Sequence, residues 1–201
     1  MIKAVIFDHG GVFGKDVMSS IYSETAIRAH VSVNAARSEV HKIRSMIQKG
    51  KITMDEFWKV YAQRLNSDPS IIKVVWTKML ENTAKIDKKV ENIVKKLKKE
   101  GYKVALCTNT IKAFSEFHKR NNDYGIFDFV IISCDIGMQK PDREMYEFVL
   151  KKLNVKPDEC VFIDNQMENV KGAMNAGMKA ILFENAEQLK EELKKCGVHG
   201  I

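Results

Sequence analysis

Short apolar runs recur along the chain, and most end in a polar residue or a glycine. IKAVIF at 2–7 closes on Asp8 and a pair of glycines, followed much later by VALC at 104–107, FVIIS at 129–133, CVFI at 160–163 and a weaker KAILF at 179–183. Runs of this length between turn residues read as buried strands. Stretches of helical periodicity alternate with them, at 87–100 closed by Gly101, 111–120, 142–153 entered through Pro141 and Asp142, and 166–176 closed by Gly177. Strands and helices alternating at these lengths predict an α/β fold whose mainly parallel sheet is covered on both faces.

Residues 15–84 break that rhythm. They hold no strand pattern, only helical stretches near 16–30, 33–48, 54–65 and 70–82. Thr53 with Glu56 three residues on forms a capping-box signature, and Pro69 marks another helix entry. The expectation is a core of 1–14 and 85–201, with a small helical cap of 15–84 inserted after the first strand. Placed there, the cap stands over the strand ends like a lid.

Composition narrows the class. A chain of 201 residues, 45% hydrophobic with three prolines, can bury a good core and is a poor candidate for disorder. No apolar run reaches membrane-spanning length, and Asp8 and Lys15 interrupt what a signal peptide would need; a cytoplasmic protein is expected. Cys107, Cys134, Cys160 and Cys196 form no CxxC pair, so they read as reduced thiols rather than a zinc or redox site. The net charge of +7 is carried by lysines scattered along helices, as in KKVENIVKKLKK at 88–99, where Val90, Ile93, Val94 and Leu97 mark the buried face. Such solvated faces argue against nucleic acid as the partner.

Chemistry collects at the strand ends. Asp8 follows the first strand, Thr108 and Asn109 the second, Lys140 lies beyond the third, and Asp164 with Asn165 follows the fourth. Taken singly, Asp8 could form a turn, Thr108-Asn109 or Asp164 could cap a helix, and Lys140 could be one surface lysine among many. A parallel sheet brings all of them to one crevice. Two carboxylates, a lysine, a hydroxyl and an amide there are the parts of phosphoryl transfer, and the carboxylates can share a hard cation such as Mg²⁺.

In order and context these segments resemble the haloacid dehalogenase superfamily over almost the whole chain: FDHGGVF its first motif, LCTNT its second, GMQKPDREMY its third and VFIDNQMENVKGAMNAG its fourth. GKITMDEFW at 50–58 is similar to a segment of the helical cap in the subfamily whose cap follows the first motif. The resemblance implies a Rossmann-like three-layer core and a phosphatase for a small phosphorylated metabolite, similar to sugar-phosphate phosphatases and the phosphatase domain of soluble epoxide hydrolase. It implies Asp8 as nucleophile and Lys140 as its orienting cation. Gly11, Thr108 and Asn109 would bind the substrate, and Asp8, the Gly10 carbonyl, Asp164 and Asn165 would hold Mg²⁺.

Two positions depart from the family pattern. Gly10 stands where a second Asp usually serves as general acid and base, a loss worth about 10² to 10⁴ in rate. Asn165 stands where many relatives place a second metal-binding Asp, so the cation should be held weakly. These changes keep two alternatives open, a 2-haloacid dehalogenase and a catalytically weakened binding protein. His9 is set aside as a replacement acid because strand alternation turns its side chain away from Asp8.

Overall fold

A computed structural model of the chain describes residues 1–83 and 85–201; residue 84, the expected end of the insertion, lies outside the described residues. Five strands form one parallel sheet: β1 (Ala4–Phe7), β2 (Lys103–Thr108), β3 (Phe129–Ile132), β4 (Cys160–Asp164) and β5 (Lys179–Leu182). Their spatial order is β3-β2-β1-β4-β5. The chain winds outward from β1 to β3, returns to the other side of β1, and winds outward again. The winding direction therefore reverses between β1 and β4, which pair Phe7 opposite Ile163, and ligands of open α/β sheets bind at such reversals.

Alternation along each strand builds the two faces. Val5, Phe7, Val104, Leu106, Val161 and Ile163 pack on one side, against Val90, Ile93, Val94 and Leu97 of α6 (Lys88–Lys99) and Leu189 and Leu193 of α11 (Ala186–Lys195). Ala4, Ile6, Ala105, Cys107, Cys160 and Phe162 face the other side, under α9 (Arg143–Leu153) and α10 (Met167–Asn175). This is the three-layer arrangement expected. Cys107 and Cys160 are buried and all four cysteines are free.

Between β1 and α6 lie α1 (Met18–Ala29), α2 (Val33–Gln48), α3 (Met54–Arg64), α4 (Pro69–Lys78) and the short α5 (Leu80–Thr83). The anticipated single helix at 70–82 is thus two. The Thr53 capping box forms as read: Thr53 Oγ1 accepts the Glu56 amide at 3.2 Å, and Glu56 Oε2 accepts the Thr53 amide at 2.7 Å. These helices share their own apolar cluster around Phe57, Tyr61 and Trp76. Ile111 and Phe114, at the start of α7 (Lys112–Arg120), join that cluster and tie it to the sheet. The turn α8 (Ser133–Ile136) and the terminal α11 were not anticipated, because neither is bounded by a strong apolar run.

Candidate active site

β1 continues one residue past its last paired position, as the Asp8 amide donates to the Ile163 carbonyl at 2.9 Å. By alternation Asp8 falls on the Ala4 and Ile6 side of the sheet, and Asp164, at the end of β4, falls on the same side. Lys140 enters on that side from the segment between α8 and α9. Its Nζ donates to Asp8 Oδ1 at 2.7 Å and to Asp164 Oδ2 at 2.6 Å, and it lies 5.4 Å from the centre of the Phe162 ring. The lysine side chain is wholly buried, and a buried cation persists only when paired this closely.

The electrostatics follow from that burial. Desolvation pushes the Asp8 carboxyl up to about 6, with Asp164 adding and Lys140 opposing. Burial alone would discharge the Lys140 ammonium, but the two carboxylates outweigh it and hold its pKa above the ordinary lysine value.

A second layer fixes these groups. The Asp164 oxygens also accept the Gln166 amide at 2.9 Å and Asn169 Nδ2 at 3.0 Å, and the Asn169 carbonyl accepts the Tyr146 hydroxyl at 2.7 Å. Sequence reasoning missed Asn169. Its only signal is its place one turn into the helix that follows Asp164. Ser133, also missed, braces the loop after β2, accepting the Thr110 amide at 2.9 Å and donating to the Thr110 carbonyl at 3.2 Å.

The expected substrate-binding residues divide. Asp8, Gly10, Thr108, Asn109 and Lys140 line one cavity of about 610 Å³ between the sheet and the inserted helices. The Asn109 side chain is also tied to the backbone of Lys140. Its Nδ2 donates to the Lys140 carbonyl at 2.7 Å and its Oδ1 accepts the Lys140 amide at 2.9 Å, so it positions the lysine. Nor does Asn109 cap α7, whose N-cap is Ile111. Gly11, by contrast, is outside the cavity wall, with its amide donating to the Gly14 carbonyl at 2.8 Å. Its backbone has φ of 85°, and an added Cβ would stand 2.2 Å from Asn165 Nδ2. Glycine at 11 therefore serves left-handed backbone and close approach to Asn165.

His9 turns to the opposite side of the sheet from Asp8, as alternation required. Its ring is buried 4.6 Å from that of His118 and 5.6 Å from that of Tyr124, centre to centre. Burial, with the charges of His118 and Lys140 adding, depresses its pKa to about 3, so it is neutral at ordinary pH. A Cβ at Gly10 would meet nothing within 4 Å, so the missing carboxylate of that position is a chemical absence and not a steric one.

For a divalent cation the available donors are the Asp8 and Asp164 carboxylates, the Gly10 carbonyl and Asn165 Oδ1. All are oxygens, the donor type Mg²⁺ takes, and Asn165 Oδ1 is buried with no hydrogen-bond partner. Among the described residues no cluster of three or more His, Cys, Asp or Glu side chains has metal-binding geometry, so the site fits Mg²⁺ only through this mixed amide, carbonyl and carboxylate set.

Comparison with known proteins places the chain in a family. The family profile described as haloacid dehalogenase-like hydrolase matches residues 2–177. A sesquiterpene phosphatase of Aspergillus oryzae is 26% identical over 195 residues, covering 96% of this chain and 95% of its own length. A drimenol cyclase of Aspergillus calidoustus is 25% identical over 198 residues, 96% of this chain, which spans only 36% of the cyclase. Among solved structures, a HAD family enzyme of Bacteroides thetaiotaomicron in complex with magnesium and inorganic phosphate superposes with a TM-score of 0.73 at 24% identity, covering 94% of this chain and 99% of that one.

Proposed function

Because this chain belongs to the haloacid dehalogenase-like hydrolases, we propose that it is a phosphatase for a small phosphorylated metabolite, with Asp8 as its nucleophile. The observation that carries this reading is the buried Asp8–Lys140–Asp164 cluster, of which Asp8 and Lys140 line the cavity. The phosphatase among its full-length relatives and the phosphate held by its structural neighbour support phosphorus as the target.

In this mechanism the Asp8 carboxylate attacks phosphorus, the bond from phosphorus to the ester oxygen breaks, and an aspartyl-phosphate forms. Lys140 keeps the carboxylate ionised and aimed, and offsets charge that builds on the phosphoryl group. Thr108, at the cavity wall, supplies a hydroxyl donor for a phosphoryl oxygen. Mg²⁺, held weakly by Asp8, the Gly10 carbonyl, Asp164 and Asn165, would neutralise phosphoryl charge. With no carboxyl at position 10, the departing oxygen takes its proton from solvent in the cavity, so leaving groups of low pKa are favoured. Water then cleaves the aspartyl-phosphate and restores Asp8. The helices α1–α5 act as a cap that closes this chemistry from bulk solvent.

The test is hydrolysis of 4-nitrophenyl phosphate with and without Mg²⁺, beside Asp8→Asn. The expected result is Mg²⁺-stimulated turnover that falls about a thousandfold or more in the variant. Turnover indifferent to Asp8→Asn overturns the proposal, and so does metal-free halide release from 2-chloropropionate, which would make the enzyme a dehalogenase.

A further inference from the structure

One face of α2 is not accounted for by packing. Ala36, Val40, Ile43 and Ile47 bury the helix in the apolar cluster of the insertion. Arg37, His41, Arg44 and Gln48, spaced i, i+4, i+7 and i+11, form a separate stripe, and all four line the wall of the cavity that holds Asp8. The stripe has a fixed lower end, since Gln48 Nε2 reaches the Asn109 carbonyl at 3.5 Å, one residue beyond Thr108. At 1.5 Å of rise per residue, Arg44 stands roughly 6 Å above Gln48 and His41 roughly 10 Å above it.

The two arginines have no carboxylate partner among the described residues. Several other helix cations are tied down: Lys42 of α2 pairs with Glu39 and Arg28 of α1 with Glu24, while Lys88 and Lys95 flank Glu91 on α6. Arg44 is half-buried and adjoins the hydroxyl of Tyr22, which itself lies 3.4 Å from His41 Nε2. Of the acids nearby, Asp16 accepts the Met18 amide at 2.9 Å, and Glu168 lines the same cavity from α10, where its charge acts on His41 and leaves the two arginines unpaired. A half-buried guanidinium without a counterion, aimed into a cavity, is a fork for a carboxylate or phosphate. A cavity of about 610 Å³ also exceeds what one phosphoryl group fills.

We infer that the substrate carries a second anionic group, a carboxylate or a phosphate, one to three helical turns from the scissile phosphate, and that Arg44, with Arg37 beyond it, binds it. This rests on Asp8 being the phosphatase nucleophile, which fixes the scissile end at the cavity floor. The stripe then acts as a ruler, with Gln48 at the reacting end and arginines at the distal end.

Calorimetric binding of three unreactive probes, pentane-1,5-bisphosphonate, 5-phosphonopentanoate and pentylphosphonate, tests the inference. In the wild type at least one of the two probes with an anionic group at each end should bind tenfold or more tightly than pentylphosphonate, and which one does so identifies the distal group. Arg37→Gln/Arg44→Gln should abolish that preference, whereas Lys42→Gln, on a residue paired with Glu39 outside the cavity wall, should retain it. Equal binding of all three probes to the wild type overturns the inference, as does a preference that survives in the double variant with unchanged thermal unfolding. The 4-nitrophenyl phosphate assay reports separately on Asp8: a probe preference without Asp8-dependent turnover removes the phosphatase reading and keeps the distal anion site, and the reverse outcome removes the site alone.

Discussion

His9 and Asp8 are neighbours in sequence and opposites in environment. Asp8 meets a cation within hydrogen-bond distance, while His9 is enclosed by Phe13, His118 and Tyr124, and its Nε2 has no hydrogen-bond partner. The contrast makes stability depend on pH. The unfolded chain binds a proton at His9 below 6.5, the native chain only near 3, so between those values the unfolded state holds the extra proton and stability falls as pH falls. The slope from this one residue is about 1.4 kcal/mol per pH unit. Urea unfolding in EDTA between pH 6 and 4 should therefore show His9→Gln losing less stability than the wild type; parallel pH profiles would contradict the assignment.

At the scale of the element, local signals and long-range demands can be separated. The α3 capping box is a local device, legible from Thr53 and Glu56 alone, and its hydrogen bonds are present. Thr53→Ala should cost about 1 kcal/mol in chemical denaturation, as N-cap losses do, without changing binding of small anions. The α2 stripe is the contrary case. Its buried face could be read from periodicity, but the polar face carries four residues that look like any solvated helix surface until the cavity is placed beside them. Asn109 also belongs here: as a polar residue before a helix it reads as a cap, yet β2 delivers it to Lys140 across 31 residues of chain.

For the molecule as a whole, the inserted helices and the sheet are not independent. Phe114 on α7 packs in the same apolar cluster as the insertion, its ring 6.0 Å from that of Trp76. Removing that ring should loosen one part from the other. Phe114→Ala is expected to cost about 3 kcal/mol or more, and to make α1–α5 more susceptible to limited proteolysis under native conditions. Equal proteolysis of variant and wild type would show that the helices hold their place without this contact.

Local pattern alone set out the strands, nearly all the long helices and the order of the groups at the strand ends. Those features are written in short-range periodicity, in turn residues and in runs a few residues long. What Asp8, Lys140 and Asp164 do to one another required the tertiary structure, since 132 residues separate the first ion pair, and only the winding reversal beside β1 makes them neighbours. The same holds for Gly11, which the motif suggests as a ligand contact and which the fold uses for left-handed backbone against Asn165. Burial, pairing and the identity of a cavity wall are properties of distant segments in contact, and no local pattern carries them.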